Sequence, residues 1–587
     1  MSSTELLDPE AIRAFHLDRD ERWVLPLFKA AGTDPVRIFE IENGRFEDAD
    51  RVRYFMEGAA LARSASYLAT VRQSDALMEM AIRYADFLVQ RFTQPDGHFV
   101  EYEKCPWVEP ENLWYTTPWG TAFHGNAMVD TYQLLCGDLS PERRDRWETR
   151  LKKTGGWLYK NPIIGPYVFN CGIDLLRLLW RIGDQFDVAE WKAWGMAKAH
   201  ELIRRDVDEA GWIRGEAGGV SGAYQLVGTN FLSEFAWESR DPVLVETSHR
   251  LIGVLVTFGT PTLFWNGNFG TRSNSLGHVG GRNYVLVDAA LGNPVAAYFL
   301  RRYGHPSMSR DLDLWKAALA TPEAAPVFGQ VVDCPGIEST VIREGSFQAW
   351  FCNYKRSIWA KGFTGLWVSE ADEAIFSTLH SLPSRVEKAK LRLGETEDWA
   401  GFPHVIVEHD ARMFHSQQGL RDLKVTQGDG ICAAWQEDLV SGDGKAGGKL
   451  SSRYHFEGNA IDMALSLAGL AGKTCLDFHI LRKVDQYYTL WTEAQLAEIR
   501  QDWLLTRRGG MDLAFRSDEM KAVGVQMGNI IYCFTLVNAP EGCEVSAGML
   551  KQNGLHTGNH GGVRVRIALP EGVREAEIEA RFEVMER

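Results

Sequence analysis

The chain has 587 residues, of which 45% are hydrophobic and 24% are charged, a composition typical of globular proteins. Because this length exceeds what one ordinary core accommodates, two domains are expected. A net charge of -15 and the lack of any run of Lys and Arg argue against nucleic acid as the main partner.

The chain begins with a segment, residues 1–30, that is rich in charge and contains no continuous apolar stretch. Neither a secretory signal nor a membrane anchor is therefore predicted, and a cytoplasmic location without membrane contact is expected. The nine cysteines contain no Cys-x-x-Cys pair, a pattern that favours reduced thiols over a disulfide framework.

Helical periodicity dominates the first half of the chain. Apolar residues recur at helical spacing between breakers, in five pairs of helices that start roughly 50 to 60 residues apart, as in stacked helical hairpins. Apolar residues surround much of the inner helix of each pair, so an (α/α) toroid, complete or incomplete, is predicted for residues 1–325. The predicted helices cover residues 52–71, 75–92, 122–137, 141–158, 168–183, 187–206, 223–238, 242–257, 281–291 and 293–303.

The character of the chain changes between Thr321 and Pro335. From Ile337 onward, short runs of β-branched and aromatic residues alternate with Gly, Asn and Asp turns, which predicts antiparallel strands. The expected fold class is therefore α+β and multidomain, with the toroid followed by an antiparallel β-sandwich over residues 326–587. The clearest strand segments are residues 346–352, 404–408, 474–481 and 529–537.

Four segments place polar side chains where a predicted loop becomes a predicted helix. Asn170 lies in Tyr167-Val-Phe-Asn-Cys-Gly, and Tyr224 ends the stretch that begins Trp212-Ile-Arg-Gly-Glu. His124 and His278 lie in turns rich in Gly and Asn that precede further helices. Because alternate helix ends converge on one side of a toroid, these four side chains are predicted to line a single cleft.

Two of these segments resemble motifs of polysaccharide lyases of the heparinase II/III and alginate-lyase type. Those enzymes have an incomplete (α/α) toroid followed by a two-layer antiparallel sheet domain. They carry an Asn, often followed by His, at the start of an inner helix and a catalytic Tyr a little over fifty residues later. Phe169-Asn170-Cys171-Gly172 is similar to the first motif, with Cys171 a departure from the His. Residues 210–216 together with Tyr224 are similar to the second, and Gly222-Ala-Tyr224 also resembles the hyaluronate and chondroitin lyase group.

The chemistry that this resemblance implies is β-elimination at a 4-linked uronic acid. The C6 carboxylate must be neutralised, the C5 proton removed and the departing O4 protonated. Asn170, Arg272 or Arg282 could stabilise the developing enolate charge. Tyr224 could protonate O4, or act as the base if nearby positive charge lowered its pKa. Either histidine could also serve as the base, because imidazole titrates near neutral pH.

Each of these assignments has a structural alternative. Asn170 could cap its helix, and Tyr224 could be a core tyrosine on an apolar helical face. His124 and His278 could each be a structural histidine with satisfied hydrogen bonds. Glu216 could be a general acid, but it is better explained as a residue that orients a neighbour such as Arg214.

Two other functions stay open at this stage. One is a toroid glycoside hydrolase, which needs two carboxylates across a cleft; the other is a protein that binds carbohydrate without catalysis. The carboxylates that could form the hydrolase pair are Glu216, Asp130, Asp174 and Glu234.

Aromatic residues favour an acidic oligosaccharide or polysaccharide as the partner. The chain has 20 tryptophans, and residues 102–119 concentrate several aromatic side chains around prolines just before His124, among them Trp114, Tyr115 and Trp119. Flat rings suit the apolar faces of sugars, although tryptophans also fill gaps between long helices. The sequence leaves a homo-oligomer open.

No metal or cofactor is predicted. His404, His409, Asp410 and His415 crowd one strand-like segment, but their spacing matches no strong zinc pattern. They are expected to be solvated histidines at a strand edge. The glycine-rich stretch at 441–448 lacks the strand-to-helix context of a nucleotide site.

Overall fold

A computed structural model describes most of the chain, and contacts divide it into two units. Unit 1 comprises Met1–Gly218, Leu226–Ile252 and Gly280–Ala325, and unit 2 comprises Gly219–Gln225, Gly253–Val279 and Pro326–Arg587. The described residues are 8–32, 34–44, 55–99, 116–161, 169–215, 219–267, 276–355, 361–377, 401–416, 419–441, 444–483, 489–490, 513–516, 522–527, 530–554 and 558–586.

Helices dominate the first half of the chain, as the periodicity predicts. In the described ranges they are α1 (Pro9–Ala31), α2 (Pro35–Gly44), α3 (Phe55–Arg72), α4 (Asp75–Phe92), α5 (Thr116–Leu135), α6 (Pro141–Lys160), α7 (Phe169–Gln185), α8 (Ala189–Asp206), α9 (Gly222–Ser239), α10 (Pro242–Phe258), α11 (Asn283–Ala290), α12 (Pro294–Tyr303) and α13 (Leu312–Ala320). None of these helices combines the length and the apolar character that crossing a bilayer requires.

The starts of several helices follow from capping chemistry. Ser74, Ser140, Asn293 and Asp311 each accept hydrogen bonds from the first backbone N–H groups of α4, α6, α12 and α13. The ten predicted helices correspond to α3 through α12. Helices α1, α2 and α13, which lie outside the repeat of hairpins, are not predicted by the sequence pattern. In α1, frequent charges and Pro26 obscure the apolar spacing.

Within unit 1, the odd-numbered helices form an inner row. α3 contacts α5, and α5 contacts α7, while α4 and α8 pack beside α3 and α7. Gly125 permits the close approach of α5 to α7, because a Cβ there would lie 2.3 Å from the Leu178 side chain. α1 contacts both α3 and α13, so it links the two ends of the helical series. The predicted toroid of hairpins is confirmed.

Unit 2 is built from antiparallel strands. In the described ranges they are β1 (Phe264–Asn266), β2 (Leu276–His278), β3 (Val331–Cys334), β4 (Ser339–Glu344), β5 (Phe347–Cys352), β6 (Gly362–Val368), β7 (Glu373–Ser377), β8 (His404–His409), β9 (Arg412–His415), β10 (Arg421–Gly428), β11 (Gly430–Ser441), β12 (Ala446–Glu457), β13 (Ala460–Ala468), β14 (Lys473–Lys483), β15 (Thr489–Leu490), β16 (Leu513–Arg516), β17 (Ala522–Met527), β18 (Ile530–Asn538), β19 (Glu544–Gly554), β20 (Gly558–Ala568) and β21 (Glu575–Glu586).

These strands form two principal sheets that share one core. The smaller sheet has the order β3-β4-β5-β6-β7, and the larger has 14 strands, with the order β15-β17-β18-β21-β13-β12-β11-β9-β8-β14-β20-β19-β16 and β10 paired with β11. Phe347 and Phe351 of β5 join side chains of the larger sheet, such as Tyr454 and Phe582, in this core. The predicted antiparallel sandwich is therefore confirmed.

The other face of the smaller sheet is covered by the end of α10. Alternate residues of β5 point there: Gln348 and Trp350 both donate hydrogen bonds to the Phe258 carbonyl, at 3.1 and 2.9 Å. The Arg343 guanidinium donates to the carbonyls of Thr257 and Gly259, each at 2.8 Å. β5 is consequently buried on both faces.

Candidate active site

The two sequence motifs meet at the start of α7. The Phe169 N–H donates to the Gly215 carbonyl at 3.3 Å, and a Cβ on Gly215 would lie 2.5 Å from the Phe169 Cβ. Gly228 of α9 also approaches the Phe169 ring, with 3.0 Å between that ring and an added Cβ. The segment that ends at Gly215 therefore packs directly against the residue preceding Asn170. Glu216 lies outside the described residues.

Asn170 is buried with an unused donor. It is the second residue of α7 and 2% exposed, and its Nδ2 has no hydrogen-bond partner within the described part of the chain. A capping residue lies outside the helix and uses its side-chain oxygen as an acceptor, so this position does not favour capping. Buried amide donors without partners are rare in folded proteins and carry a free-energy cost. Asn170 thus offers an N–H group for which the described protein supplies no acceptor.

Tyr224 is the third residue of α9 and is partly exposed. By its contacts it belongs to unit 2, where the backbone before it is held in place. The Gly222 carbonyl accepts from Trp265 Nε1 at 3.1 Å, and the Val220 N–H donates to the Tyr354 hydroxyl at 2.9 Å. A Cβ on Gly222 would lie 2.6 Å from the Cα of Gly267, so this turn requires glycine. That Tyr224 faces Asn170 stays a prediction.

His124 lies in the middle of a helix, which corrects its predicted position in a turn. α5 begins at Thr116, six residues before the predicted start, so His124 is about two turns into the helix. The side chain is fully buried, and burial lowers its pKa to about 3. The imidazole is therefore neutral and a weak base at neutral pH.

His278 ends a strand and does not lie in a turn leading directly into a helix, which is a second correction. It closes β2, is exposed, and lies with Nε2 3.0 Å from the Asp372 carbonyl oxygen. Arg282 is exposed and immediately precedes α11 without a side-chain capping bond. Trp119 lies in the first turns of α5. Arg272, Trp114 and Tyr115 lie outside the described residues.

A network of partly buried ion pairs links the inner helices of unit 1. Arg177 and Arg181 are four residues apart on α7 and share one face. Arg181 donates to Asp130 of α5 at 2.5 Å. Arg177 donates to Glu238 of α9 at 2.7 Å and also pairs with Glu234. This network was not predicted from the sequence, although two arginines at helical spacing within the apolar face of α7 were its signal.

The network sets the protonation of its carboxyl groups. Burial acts to raise the pKa values of Asp130 and Glu238, but Arg181 and its neighbouring arginines outweigh burial and hold both pKa values below their usual range. Burial raises the pKa of Asp174 to about 8, because Arg177 compensates only in part. Asp174 is 2% exposed, and its Oδ1 accepts a hydrogen bond from Asn126 at 2.9 Å.

The histidines of the β domain are not all solvated, contrary to expectation. His404 and His415 are 1% exposed, and their rings stack with 3.0 Å between Nε2 of the first and Nδ1 of the second. They are buried because β8 and β9 lie inside the larger sheet. His409 and Asp410 are exposed, as predicted. Within the described ranges, no three His, Cys, Asp or Glu side chains are grouped as metal ligands.

Comparisons with known proteins find similarity in fold only. No family model and no curated protein matches the sequence. A heparan sulfate lyase from Pedobacter heparinus matches with a TM-score of 0.54 over 91% of this chain and 77% of its own, at 10% identity. Heparinase III gives 0.57 over 90% and 76%, at 11% identity. A Paenibacillus xanthan lyase gives 0.58 over 98% and 57%, at 8% identity. The chain thus has the toroid-plus-β fold of these polysaccharide lyases, and the resemblance is confirmed at the level of fold.

Proposed function

We propose that the protein is a polysaccharide or oligosaccharide lyase that cleaves a glycan containing uronic acid by β-elimination. The fold supports a lyase, since the structural neighbours named above are lyases of acidic glycans. The observation that carries the proposal is Asn170, a buried amide with an unused donor at the position that the lyase motif gives to its asparagine.

In this proposal Asn170 stabilises the charge that develops during elimination. Its Nδ2 donates a hydrogen bond to the C6 carboxylate of the uronic acid, with Arg272 or Arg282 supplying positive charge. When the C5 proton leaves, its electron pair enters the new C4=C5 double bond while negative charge builds transiently on the carboxylate. A donor fixed before the reaction is worth roughly 10²- to 10³-fold in rate.

Proton transfer is assigned to Tyr224. As a phenolate, Tyr224 removes the C5 proton. The phenol that this step forms then protonates the departing O4. His124 is the weaker candidate for the base, because its low pKa leaves it little affinity for a proton at neutral pH. His278 remains the alternative base.

No feature of the described site favours a glycoside hydrolase. Such an enzyme needs one protonated and one ionised carboxyl group on either side of the scissile bond. Asp130 and Glu234 are paired with arginines of α7. Asp174, whose raised pKa would suit an acid, is buried and hydrogen-bonded to Asn126.

The test is incubation with a panel of uronate polymers and oligosaccharides while the ultraviolet absorbance of the unsaturated product is followed. We expect the absorbance to rise with at least one substrate. In Tyr224→Phe the rate of this rise should be at least 100-fold lower than in the wild type. Tyr159→Phe is the matched control, since that partly buried tyrosine of α6 directs its hydroxyl to Glu190 and has no part in the proposed site. Reducing ends released without absorbance would refute the lyase and indicate a hydrolase, and neither signal would indicate a binding protein.

A further inference from the structure

Unit 1 contains a cavity of about 690 Å³ that the proposed mechanism does not use. It lies between α1, α3 and the segment 306–311 on one side and α5, α7 and α9 on the other. This volume is in the range of small-ligand sites. Its lining combines cations with an aromatic ring at the α1 and α3 side: His16, Arg19, Arg63, Tyr67 and Arg310.

Arg310 is the centre of this group. Its side chain is 20% exposed, its Nη2 donates to Ser64 Oγ at 3.2 Å, and its guanidinium lies 4.7 Å from the centroid of the Tyr67 ring. Its Nη1 is 3.3 Å from Asp20 Oδ2 but makes no hydrogen bond there. One N–H of a buried cation is therefore left unused.

A neighbouring arginine also has an unused polar atom, and a buried histidine lies beside it. Arg63 directs Nη1 to Asp130 at 3.2 Å, whereas its buried Nε is without a hydrogen bond in the described structure. His16 is 2% exposed, and the backbone of Ser309 and Pro306 lies within hydrogen-bonding reach of its ring. Two arginines that line the same cavity, Arg63 and Arg310, thus each leave a donor unsatisfied within the described ranges, which is uncommon in a folded protein.

This side of the cavity carries as many arginines as carboxylates, and the opposite side carries Glu234 and Glu238 beside Arg177. Arg19, Arg63 and Arg310 lie there with Asp20, Asp130 and Asp311, and Arg181 also pairs with Asp130. Burial lowers the pKa of Arg310 to about 10, and Asp20 opposes this while Arg63 adds to it. A bound anion would relieve this repulsion and accept the unused hydrogen bonds.

We propose that this cavity is a second site, which binds a small acidic sugar through its carboxylate or sulfate group. Arg310 and Arg63 donate to the oxyanion, and the Tyr67 ring borders the sugar. That the ligand is a sugar rests on the proposed function. That the cavity binds an oxyanion rests on the residues of the cavity alone. The site is distinct from Asn170, which does not line the cavity.

The test is isothermal titration of the full chain at low salt with inorganic sulfate, glucuronate and neutral glucose. We expect sulfate and glucuronate to bind at one site per chain, glucose to give no heat, and Arg310→Gln to weaken both anions at least tenfold. Arg302→Gln is the matched control, because that exposed arginine of α12 pairs with Glu323 and does not line the cavity. Arg63→Gln is a second variant, in case Arg310→Gln does not fold.

Several outcomes would overturn the second site. Absence of heat with both anions in the wild-type chain, or an unchanged affinity in both arginine variants, would refute it. Sulfate binding without glucuronate binding would refute a sugar ligand. Tyr224→Phe should bind sulfate with the affinity of the wild type. Sulfate binding would therefore persist if the lyase proposal failed, and failure of the lyase proposal can be distinguished from failure of the second site.

Discussion

Replacement of Asn170 by leucine separates a catalytic amide from a helix cap, because the two roles predict opposite changes in stability. Leucine is close in size to asparagine but has no polar atoms. If Asn170 caps α7, its loss should cost about 1 kcal/mol. If its Nδ2 is instead buried without a partner, as the described contacts indicate, leucine removes a desolvated donor whose cost is about 1 to 3 kcal/mol.

The expected change in stability follows from this position. Asn170 is inside the first turn of α7, where leucine also has a higher helix propensity by about 0.5 kcal/mol. We therefore expect the free energy of unfolding of unit 1 to stay unchanged or to rise by up to about 2 kcal/mol.

Activity should move in the other direction. Loss of one preorganised donor should lower kcat by roughly 10²- to 10³-fold. The assays are the ultraviolet elimination rate and the thermal midpoint, which should stay level or rise by roughly 2 to 4 °C per kcal/mol. Asn161→Leu is a control on an exposed asparagine at the end of α6. A variant that loses stability and retains its turnover would refute the catalytic role and restore the cap.

Three further predictions follow from the same contacts. Gly222→Ala should lower kcat at least tenfold by displacing the start of α9, since its Cβ would lie 2.6 Å from the backbone of Gly267. Gly253→Ala is the control and should keep its activity, because no atom lies within 4 Å of an added Cβ. Equal kcat values in the two variants would contradict this prediction. Arg177→Met should destabilise the protein by about 1 to 3 kcal/mol in urea unfolding, because it removes the nearest cation from Glu234 and Glu238 of α9, which are 22% and 24% exposed. Arg302→Met should cost less than about 1 kcal/mol, as an exposed pair does, and similar losses would refute a partly buried network. Asp174 holds its proton to about pH 8 in the folded state and to about pH 4 when unfolded, so its contribution to stability is complete below pH 4 and is lost as pH rises to 8. The thermal midpoint of Asp174→Asn should therefore gain on that of the wild type between pH 5 and pH 8, and a constant difference would contradict the raised pKa.

The order of local structures is determined by the sequence alone. Apolar spacing placed α3 through α12, and the change at residues 321–335 marked the passage to strands, because burial of one face imposes a period on each element. The motif at Phe169-Asn170 was also readable, since it depends on neighbouring residues and on a fixed interval to Tyr224. Charged stretches such as α1 were missed because their helical state depends on packing against α3 and α13.

Tertiary structure decided which polar groups meet and which are buried. Nothing local to His124 indicates that Gly125 packs against Leu178 and that the imidazole loses all contact with solvent. The network of Arg177 and Arg181 requires three helices distant in sequence to be side by side. Likewise, the unused donors of Arg310 and Arg63 become visible only when residues about 250 positions apart share one cavity. Periodicity encodes the face that a residue occupies, whereas its pKa and partners depend on the elements that cover that face.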